Sequence, residues 1–330
     1  MKLSLAFTLV LALCPTGFVA LASSQEPAPQ EKPAPKPAVY DEKADANVDV
    51  AAAVARAKKE NKRVLVQWGG NWCGWCIKLH DTCRKDAKLS RKLMYEYEVV
   101  HVDIGNFDKH LELVEKLGAS LKEGVPYLTV LDADGKPIAQ SETGHFEKDG
   151  AHDPELLLEF FTRHEATPLV ASTLREAALA RAKAENKRVF LHFGAPWCTW
   201  CHRLEAWMAK PEVAAVLGKE FIDLKIDQDR MKGGKELVDA ERKLAGAPQG
   251  GIPWFVFLDG DGKQLCNSNG PKGNTGFPAA EEEIAHFVTM LKSACKVLSP
   301  EEIEFLAKDL VAEREKSERA AAERRKAAGK

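Results

Sequence analysis

The sequence predicts an α/β protein with two tandem copies of one fold, each a central mixed β-sheet flanked by helices. Two observations lead to this prediction. First, residues 55–64 (ARAKKENKRV) return as residues 180–189 (ARAKAENKRV), and Cys73 returns as Cys198 at the same offset of 125. Second, short apolar runs alternate with segments of helical periodicity in both copies. A chain of 330 residues is long enough for two such domains.

The first 22 residues are predicted to be a secretory signal peptide. Lys2 supplies a positive charge, an apolar run follows over Leu5–Leu13, and Ala20-Leu21-Ala22 forms a small-residue cleavage pattern. One alternative is an uncleaved membrane anchor, although the apolar run is shorter than the roughly 20 residues that span a bilayer. A lipoprotein signal that ends at Cys14 is another, although Leu13 stands where a small residue is expected.

Residues 23–40 are predicted to form a linker, because five prolines between Gln25 and Tyr40 leave nothing from which to build a core. It is either a spacer that holds the domains away from a surface or a disordered arm. The formal net charge of the whole chain is only −2, which gives no indication of nucleic acid or an anionic membrane as a partner.

The first copy, residues 41–165, is predicted to follow the order α-β-α-β-α-β-β-α. Val64–Trp68 is apolar enough for a strand buried on both faces, and a helix opens at the cysteine pair after it. Asp134-Gly135 is a hairpin turn signal, and Asp153-Pro154 cap and start the last helix. The other elements are predicted at Val48–Lys59, Val99–Ile104, His110–Leu121, Tyr127–Leu131 and Pro137–Ser141.

The second copy, residues 170–298, repeats this order. Its strands are predicted at Val189–Phe193, Phe221–Ile226, Trp254–Leu258 and Lys263–Cys266. In residues 299–330, Ser299 and Glu302 form a capping box. The apolar side chains of Ile303, Leu306 and Leu310 are expected to dock on the second copy, and the charged remainder is expected to be a solvated helix.

A C-x-x-C directly after the first strand and a Val-Pro or Ile-Pro before the third strand occur in both copies. This pattern resembles the thioredoxin-like superfamily, and within it the exported tandem proteins with two W-C-x-W-C motifs. The resemblance covers residues 41–165 and 170–298. It implies thiol–disulfide exchange at the two cysteine pairs.

The position of each pair supports redox chemistry. A cysteine at the first turn of a helix has its thiolate stabilised by unpaired N–H groups and the helix dipole. Cys73 and Cys198 are therefore the predicted nucleophiles. Cys76 and Cys201, three residues later on the same helix face, are the predicted resolving thiols, which attack the mixed disulfide and release the product.

The resemblance also implies that Pro126 and Pro253 are cis and face the cysteines. Val125 and Ile252 would then offer backbone groups to an extended substrate strand, and Trp72 and Trp197 complete the candidate substrate-binding residues. Many thioredoxins carry a buried Asp six residues before the first cysteine. Gln67 and His192 occupy that position here, so His192 is a proton-transfer candidate or, like Gln67, an ordinary buried polar residue.

Three other interpretations of the cysteines remain. Cys198–His202 reads C-x-x-C-H, the haem c attachment pattern, although Ile77 replaces the histidine in the first copy. A shared zinc site is an alternative that the long spacing between the pairs disfavours. A non-catalytic peptide-binding or scaffold module with structural disulfides is the third.

The remaining cysteines lie outside the two motifs. Cys266 and Cys295 are either a structural disulfide or two free thiols, and Cys83 is a small buried residue or a third redox thiol. Loss of Cys14 with the leader leaves an odd number from the eight cysteines, so at least one is unpaired within the chain.

The sequence therefore predicts an exported, periplasmic thiol–disulfide oxidoreductase that acts on protein thiols and disulfides. No cofactor is expected, because the electrons reside on the cysteines, and a membrane electron donor is a candidate partner. The direction of the reaction is left open, because Gly74-Trp75 and Thr199-Trp200 replace the Gly-Pro that thioredoxin has between its cysteines.

Overall fold

The computed structural model describes residues 38–247 and 249–329. The predicted signal peptide, the lipoprotein alternative at Cys14 and most of the predicted linker lie outside the described residues. We call residues 41–165 the first repeat and residues 170–298 the second repeat.

The first repeat has a four-stranded sheet with helices packed against it. Strand β1 is central; it runs parallel to β2 and antiparallel to β3, and β4 forms the edge beyond β3. The elements are α1 (Ala46–Glu60), β1 (Arg63–Gly69), α2 (Gly74–Lys85), α3 (Ala87–Glu96), β2 (Tyr97–Asp103), α4 (Leu111–Lys116), β3 (Tyr127–Leu131), β4 (Pro137–Glu142), β5 (Glu147–Lys148), β6 (Ala151–His152) and α5 (Pro154–His164).

The second repeat has the same sheet, in the order β10-β9-β7-β8, with β7 parallel to β8 and antiparallel to β9. Two mixed sheets flanked by helices confirm the predicted fold class. The elements are α6 (Ala171–Ala184), β7 (Arg188–Gly194), α7 (Thr199–Met208), α8 (Pro211–Glu220), β8 (Phe221–Asp227), α9 (Gly234–Leu244), β9 (Trp254–Leu258), β10 (Gln264–Asn267), β11 (Asn269–Gly270), β12 (Gly273–Asn274) and α10 (Glu281–Ala294).

Two helices of the first repeat differ from the prediction. The helix after the cysteines is broken at Asp86, whose backbone is extended and whose carboxylate accepts the N–H groups of Lys88 and Leu89, so that it caps a new helix, α3. The helix predicted over His110–Leu121 is only α4, because Gly118 adopts a left-handed conformation directly after it and ends the turn.

The C-terminal segment is one helix, α11 (Pro300–Ala327), with the predicted Ser299–Glu302 capping box. Ile303, Leu306 and Leu310 are buried in the core formed by α7, α8, α10 and β9, so the predicted docking on the second repeat is confirmed. The helix beyond this point is largely exposed, as expected. Within residues 38–247 and 249–329, no helix combines the length and apolar character needed to cross a membrane.

The two repeats meet through the loop after β8. The Arg230 guanidinium donates hydrogen bonds to the carbonyl oxygens of Glu60 and Asn61, at 2.8 and 2.9 Å, and to Glu96 Oε2 at 3.0 Å. Next to it, Asp229 Oδ2 accepts a hydrogen bond from the Tyr95 hydroxyl at 2.7 Å. The carboxyl edge of the second sheet therefore lies against the segment that enters the first sheet.

Candidate active sites

Both C-x-x-C pairs form disulfides at the start of a helix. Cys73 is the N-cap residue of α2 and Cys198 that of α7, and each pair is oxidised. Cys73 Sγ accepts the backbone N–H of Cys76 at 3.1 Å, and Cys198 Sγ accepts that of Cys201 at the same distance. The first sulfur of each pair is thus placed where helix N–H groups stabilise an anion.

A cis proline faces each disulfide. The Val125–Pro126 and Ile252–Pro253 peptide bonds are both cis, as the resemblance implied. Cys73 Sγ lies 3.5 Å from the Val125 carbonyl oxygen, and Cys198 Sγ lies 3.5 Å from that of Ile252. The residue before each proline thus lies beside the predicted nucleophile, as the substrate-strand hypothesis requires.

The two tryptophans before the nucleophiles are about half exposed, at 53% for Trp72 and 52% for Trp197, so their rings are available for contact. Their indole N–H groups are anchored differently. Trp72 donates to the carbonyl oxygen of Gly105 at 2.7 Å, whereas Trp197 donates to Asp229 Oδ2 at 2.8 Å. Since Asp229 also binds Tyr95 of the first repeat, the second site is connected to the first repeat.

A groove lies beside the second disulfide. Its volume is about 660 Å³, and its lining includes Trp200, Ile252, Pro253 and Phe277. Phe277 comes from the segment after the short β11–β12 hairpin, and its ring stacks on Trp200 with 6.4 Å between the centroids. The groove thus joins the cis proline to an aromatic wall, which suits an extended peptide with a large side chain.

A buried amide and two imidazoles lie behind the first disulfide. Gln67 is buried, and its Oε1 has no hydrogen-bond partner in the described chain. His80 Nδ1 lies 3.4 Å from His101 Nε2. Burial, and then the charge of His80, lowers the pKa of His101 from 6.5 to about 4, and burial also lowers the pKa of His80. Tyr40 packs edge-on against His101, with centroids 5.4 Å apart.

A buried histidine and an ion pair lie behind the second disulfide. His192 is buried, and its Nε2 lies 3.0 Å from Asp223 Oδ1. Glu205 accepts a hydrogen bond from Lys225 Nζ at 2.7 Å. A Cβ atom at Gly194 would lie 3.4 Å from Cys201 Sγ and 3.7 Å from Glu205 Oε1. Glu205 therefore lies close to Cys201, the predicted resolving cysteine.

Sequence reasoning missed three residues near the sites: Tyr40, Asn71 and Glu205. Tyr40 was assigned to the linker, but it is fully buried and packs with Cys73 and Cys76. Glu205 could have been found from the helical spacing, because it follows Cys201 by four residues and so shares its face of α7. Asn71 precedes Cys73 by two residues and lies just outside the W-C-x-W-C motif.

The other three cysteines are free thiols within the described residues. Cys83 is buried in the core between α2, α3 and β3, and burial raises its pKa to about 12. Burial raises the pKa of Cys266 to about 11 and that of Cys295 to about 12. These thiols are protonated at neutral pH and therefore poor nucleophiles.

Two family models match the chain. The first, described as a thioredoxin-like domain, matches residues 50–149. The second, Thioredox_DsbH, is described as a protein of unknown function, DUF255, and matches residues 156–312.

Curated relatives include protein disulfide-isomerase erp38 of Neurospora crassa, 25% identical over 58% of this chain and 50% of that protein. The disulfide bond reductase DsbH of Chlamydia pneumoniae is 27% identical over 27% of this chain and 58% of that protein. The chain spans 58% or less of the length of the curated relatives it matches.

Among solved structures, the disulphide isomerase of Xylella fastidiosa Temecula1 is 32% identical. The match covers 38% of this chain and 95% of that chain, with a TM-score of 0.34.

Proposed function

Because the chain belongs to the thioredoxin-like superfamily, we propose that it is a thiol–disulfide oxidoreductase that acts on protein thiols and disulfides. One observation carries the proposal. In both repeats an oxidised cysteine pair caps a helix and faces a cis proline, so the parts needed for exchange with an extended peptide occur together twice.

Cys73 and Cys198 are the nucleophiles in this mechanism. The thiolate attacks a sulfur of the substrate disulfide, which forms a mixed disulfide and releases one substrate thiolate. Cys76 or Cys201 then attacks the mixed disulfide, the second substrate thiolate leaves, and the pair is oxidised. The substrate gains two electrons and two protons, and the reverse sequence oxidises a dithiol. No dissociable cofactor takes part.

The substrate strand would lie along Val125 and Pro126 in the first repeat, and along Ile252 and Pro253 in the second. Trp72 and Trp197 would cover the exposed side of each nucleophile. The groove beside Trp200 and Phe277 gives the second site a larger contact area for a peptide. We further propose that residues 1–22 direct export to the periplasm, that residues 23–38 of the predicted linker join the leader to the two repeats, and that a membrane protein exchanges electrons with the cysteines.

The test is the reduction of insulin disulfides with dithiothreitol as the electron source. The wild-type chain should accelerate precipitation of the insulin B chain, and the Cys73→Ser, Cys198→Ser double variant should lose the acceleration. Cys266→Ser is the matched control, because it replaces a cysteine outside both sites. Each single variant measures one site. Full activity in the double variant would overturn the proposal, and peptide binding without reduction would favour the scaffold alternative.

The direction of the reaction follows from the reduction potential of each pair, measured in single-site variants. A value near that of thioredoxin, about −270 mV, favours a reductase, and a value near about −120 mV favours an oxidant.

A further inference from the structure

Tyr40 lies directly behind the first disulfide. Its side chain is fully buried and packs with Cys73 and Cys76. A Cβ atom at Gly69 would lie 2.6 Å from the Tyr40 hydroxyl oxygen and 2.7 Å from Cys76 Sγ. The hydroxyl and the resolving sulfur therefore line the same small space. Among the described residues, the hydroxyl has no hydrogen-bond partner.

The loop that carries the cysteines holds Tyr40 in place. Asn71 Oδ1 accepts the backbone N–H groups of Val39 and Tyr40, each at 3.0 Å, and Asn71 Nδ2 donates to the Tyr40 carbonyl oxygen at 2.8 Å. Asn71 precedes the nucleophile Cys73 by two residues. The position of the phenol is therefore fixed by the active-site loop itself.

The second repeat lacks this arrangement at the equivalent positions. Pro196, 125 residues after Asn71, has no side-chain amide to hold a peptide segment. Glu165, 125 residues after Tyr40, forms an ion pair with Lys92. At the resolving cysteine of that repeat the nearby polar group is Glu205 instead. Tyr40 is thus a feature of the first site alone.

An unpartnered buried hydroxyl is unfavourable, so its retention beside a reactive sulfur calls for a role. Burial, and then the charge of Asp103, raises the pKa of Tyr40 well above its ordinary value. The phenol therefore stays protonated at physiological pH and can donate a hydrogen bond to an anion. When the pair is reduced, the Cys76 thiolate is an anion that lines the same small space as the hydroxyl.

Two imidazoles and an open cavity lie on the far side of this phenol. The Tyr40 ring contacts His101, and His101 contacts His80. The cavity has a volume of about 180 Å³ and is lined by both histidines and by Gln67 and Cys83. A cavity of this size and polarity can hold water near the phenol ring.

We propose that Tyr40 is a catalytic residue of the first repeat, whose hydroxyl donates a hydrogen bond to Cys76 Sγ as its thiolate forms and the thiol proton passes to water. This proposal rests on the proposed oxidoreductase function and names the group that assists its second step.

Attack by Cys76 closes the disulfide of the first repeat and releases the substrate. Cys76 loses its thiol proton to water. Its sulfur electron pair forms the bond to Cys73 Sγ, and the bond between Cys73 Sγ and the substrate sulfur breaks. The substrate leaves as a thiolate and takes up a proton. The cysteine pair is oxidised, and the substrate is reduced.

The test separates the two steps in the full chain with Cys198→Ser and Cys201→Ser as background. The reduced protein is mixed rapidly with Ellman's reagent. Attack by Cys73 releases a first thionitrobenzoate, and attack by Cys76 on the mixed disulfide releases a second. A Cys73→Ser variant measures the contribution of the other free thiols, which is subtracted.

We expect Tyr40→Phe, which keeps the ring, to slow the second release about tenfold, as expected for loss of a hydrogen bond to a charged group. The first release should change less than twofold. Tyr97→Phe is the matched control, because it removes a buried hydroxyl that donates to the Phe161 carbonyl oxygen away from the cysteines. It should leave both releases unchanged.

An unchanged second release in Tyr40→Phe would overturn the proposal, as would equal slowing of both releases or equal slowing in Tyr97→Phe. Failure of this proposal can be told apart from failure of the proposed oxidoreductase function. If the chain were not an oxidoreductase, even the wild type would not reduce insulin.

Discussion

The two repeats carry different chemistry behind their disulfides on the same backbone. Gln67 in β1 corresponds to His192 in β7, and His80 in α2 corresponds to Glu205 in α7. The strand register adds a third difference, because His101 pairs with Gln67 whereas Lys225 pairs with His192. The first site is backed by an amide, a phenol and imidazoles, and the second by an ion pair.

This difference separates what the fold requires from what it leaves free. The helix that begins at the cysteine and the cis proline are the same in both repeats. The groups that could accept the proton of the resolving cysteine differ between the two repeats. A buried thiol must lose its proton before it attacks, and two unrelated sets of side chains are available for that task.

The largest difference is expected from adding a methyl group at the two equivalent glycines. At Gly69 the new Cβ would meet Tyr40 and Cys76 at 2.6–2.9 Å, whereas at Gly194 its nearest neighbour would be 3.2 Å away. We expect Gly69→Ala to lower the free energy of unfolding by about 3 kcal/mol and Gly194→Ala by less than about 1 kcal/mol, measured by urea unfolding. If both substitutions lowered the free energy of unfolding equally, Tyr40 would not restrict the space at Gly69.

A smaller effect is expected from acid. The pKa of His101 in the folded chain is about 4, below its ordinary 6.5. Between these values the unfolded chain binds a proton that the folded chain does not, so stability falls as the pH falls. Between pH 7 and pH 5, His101 should account for about 2 kcal/mol of lost stability.

The His101→Gln variant checks this expectation, because it should lose about that much less stability than the wild type over the same pH interval. His202→Gln is the control, since it replaces an exposed histidine of the second repeat. If the free energy of unfolding of the wild type and of His101→Gln depended identically on pH, the lowered pKa of His101 would be contradicted.

The smallest effect is expected at Glu205. Its carboxylate lies near Cys201 and pairs with Lys225, so it is the better placed proton acceptor of the second repeat. With Cys73→Ser and Cys76→Ser as background, Glu205→Gln should slow the second thionitrobenzoate release about tenfold, or about 1.4 kcal/mol. His192 is the alternative proton acceptor in this repeat. A changed pH–rate profile in His192→Gln, with Glu205→Gln unaffected, would favour the histidine instead.

Local signals made most of the fold predictable. Continuous apolar runs identified β1 and β7, and the cysteine spacing placed both pairs at the first turn of a helix. The two X-Pro bonds were identified through the family resemblance, and both are cis. The break between α2 and α3 was missed because Asp86 is an N-cap signal inside a continuous helical pattern.

The surroundings of the sites were less predictable, because they depend on contacts between distant residues. Tyr40 reaches Asn71 across 31 residues, and proline-rich composition before it suggested only a linker. Glu205 lies on a helix where a charged residue is ordinarily solvated, and only the position of Lys225 on β8 shows that it faces inward. Composition and spacing do not contain such long-range pairings.

The contacts of Arg230 determine whether the two cysteine pairs can meet within one molecule. It holds the carboxyl edge of the second sheet against Glu60 and Asn61, whereas Cys73 lies beyond the opposite end of the seven-residue strand β1, roughly 20 Å away. Sulfurs must come into bonding contact to exchange, so the two pairs do not meet within one molecule in this arrangement. If the two pairs exchange electrons, the transfer is therefore bimolecular: its rate should rise with protein concentration, and an equimolar mixture of two single-site variants should support it.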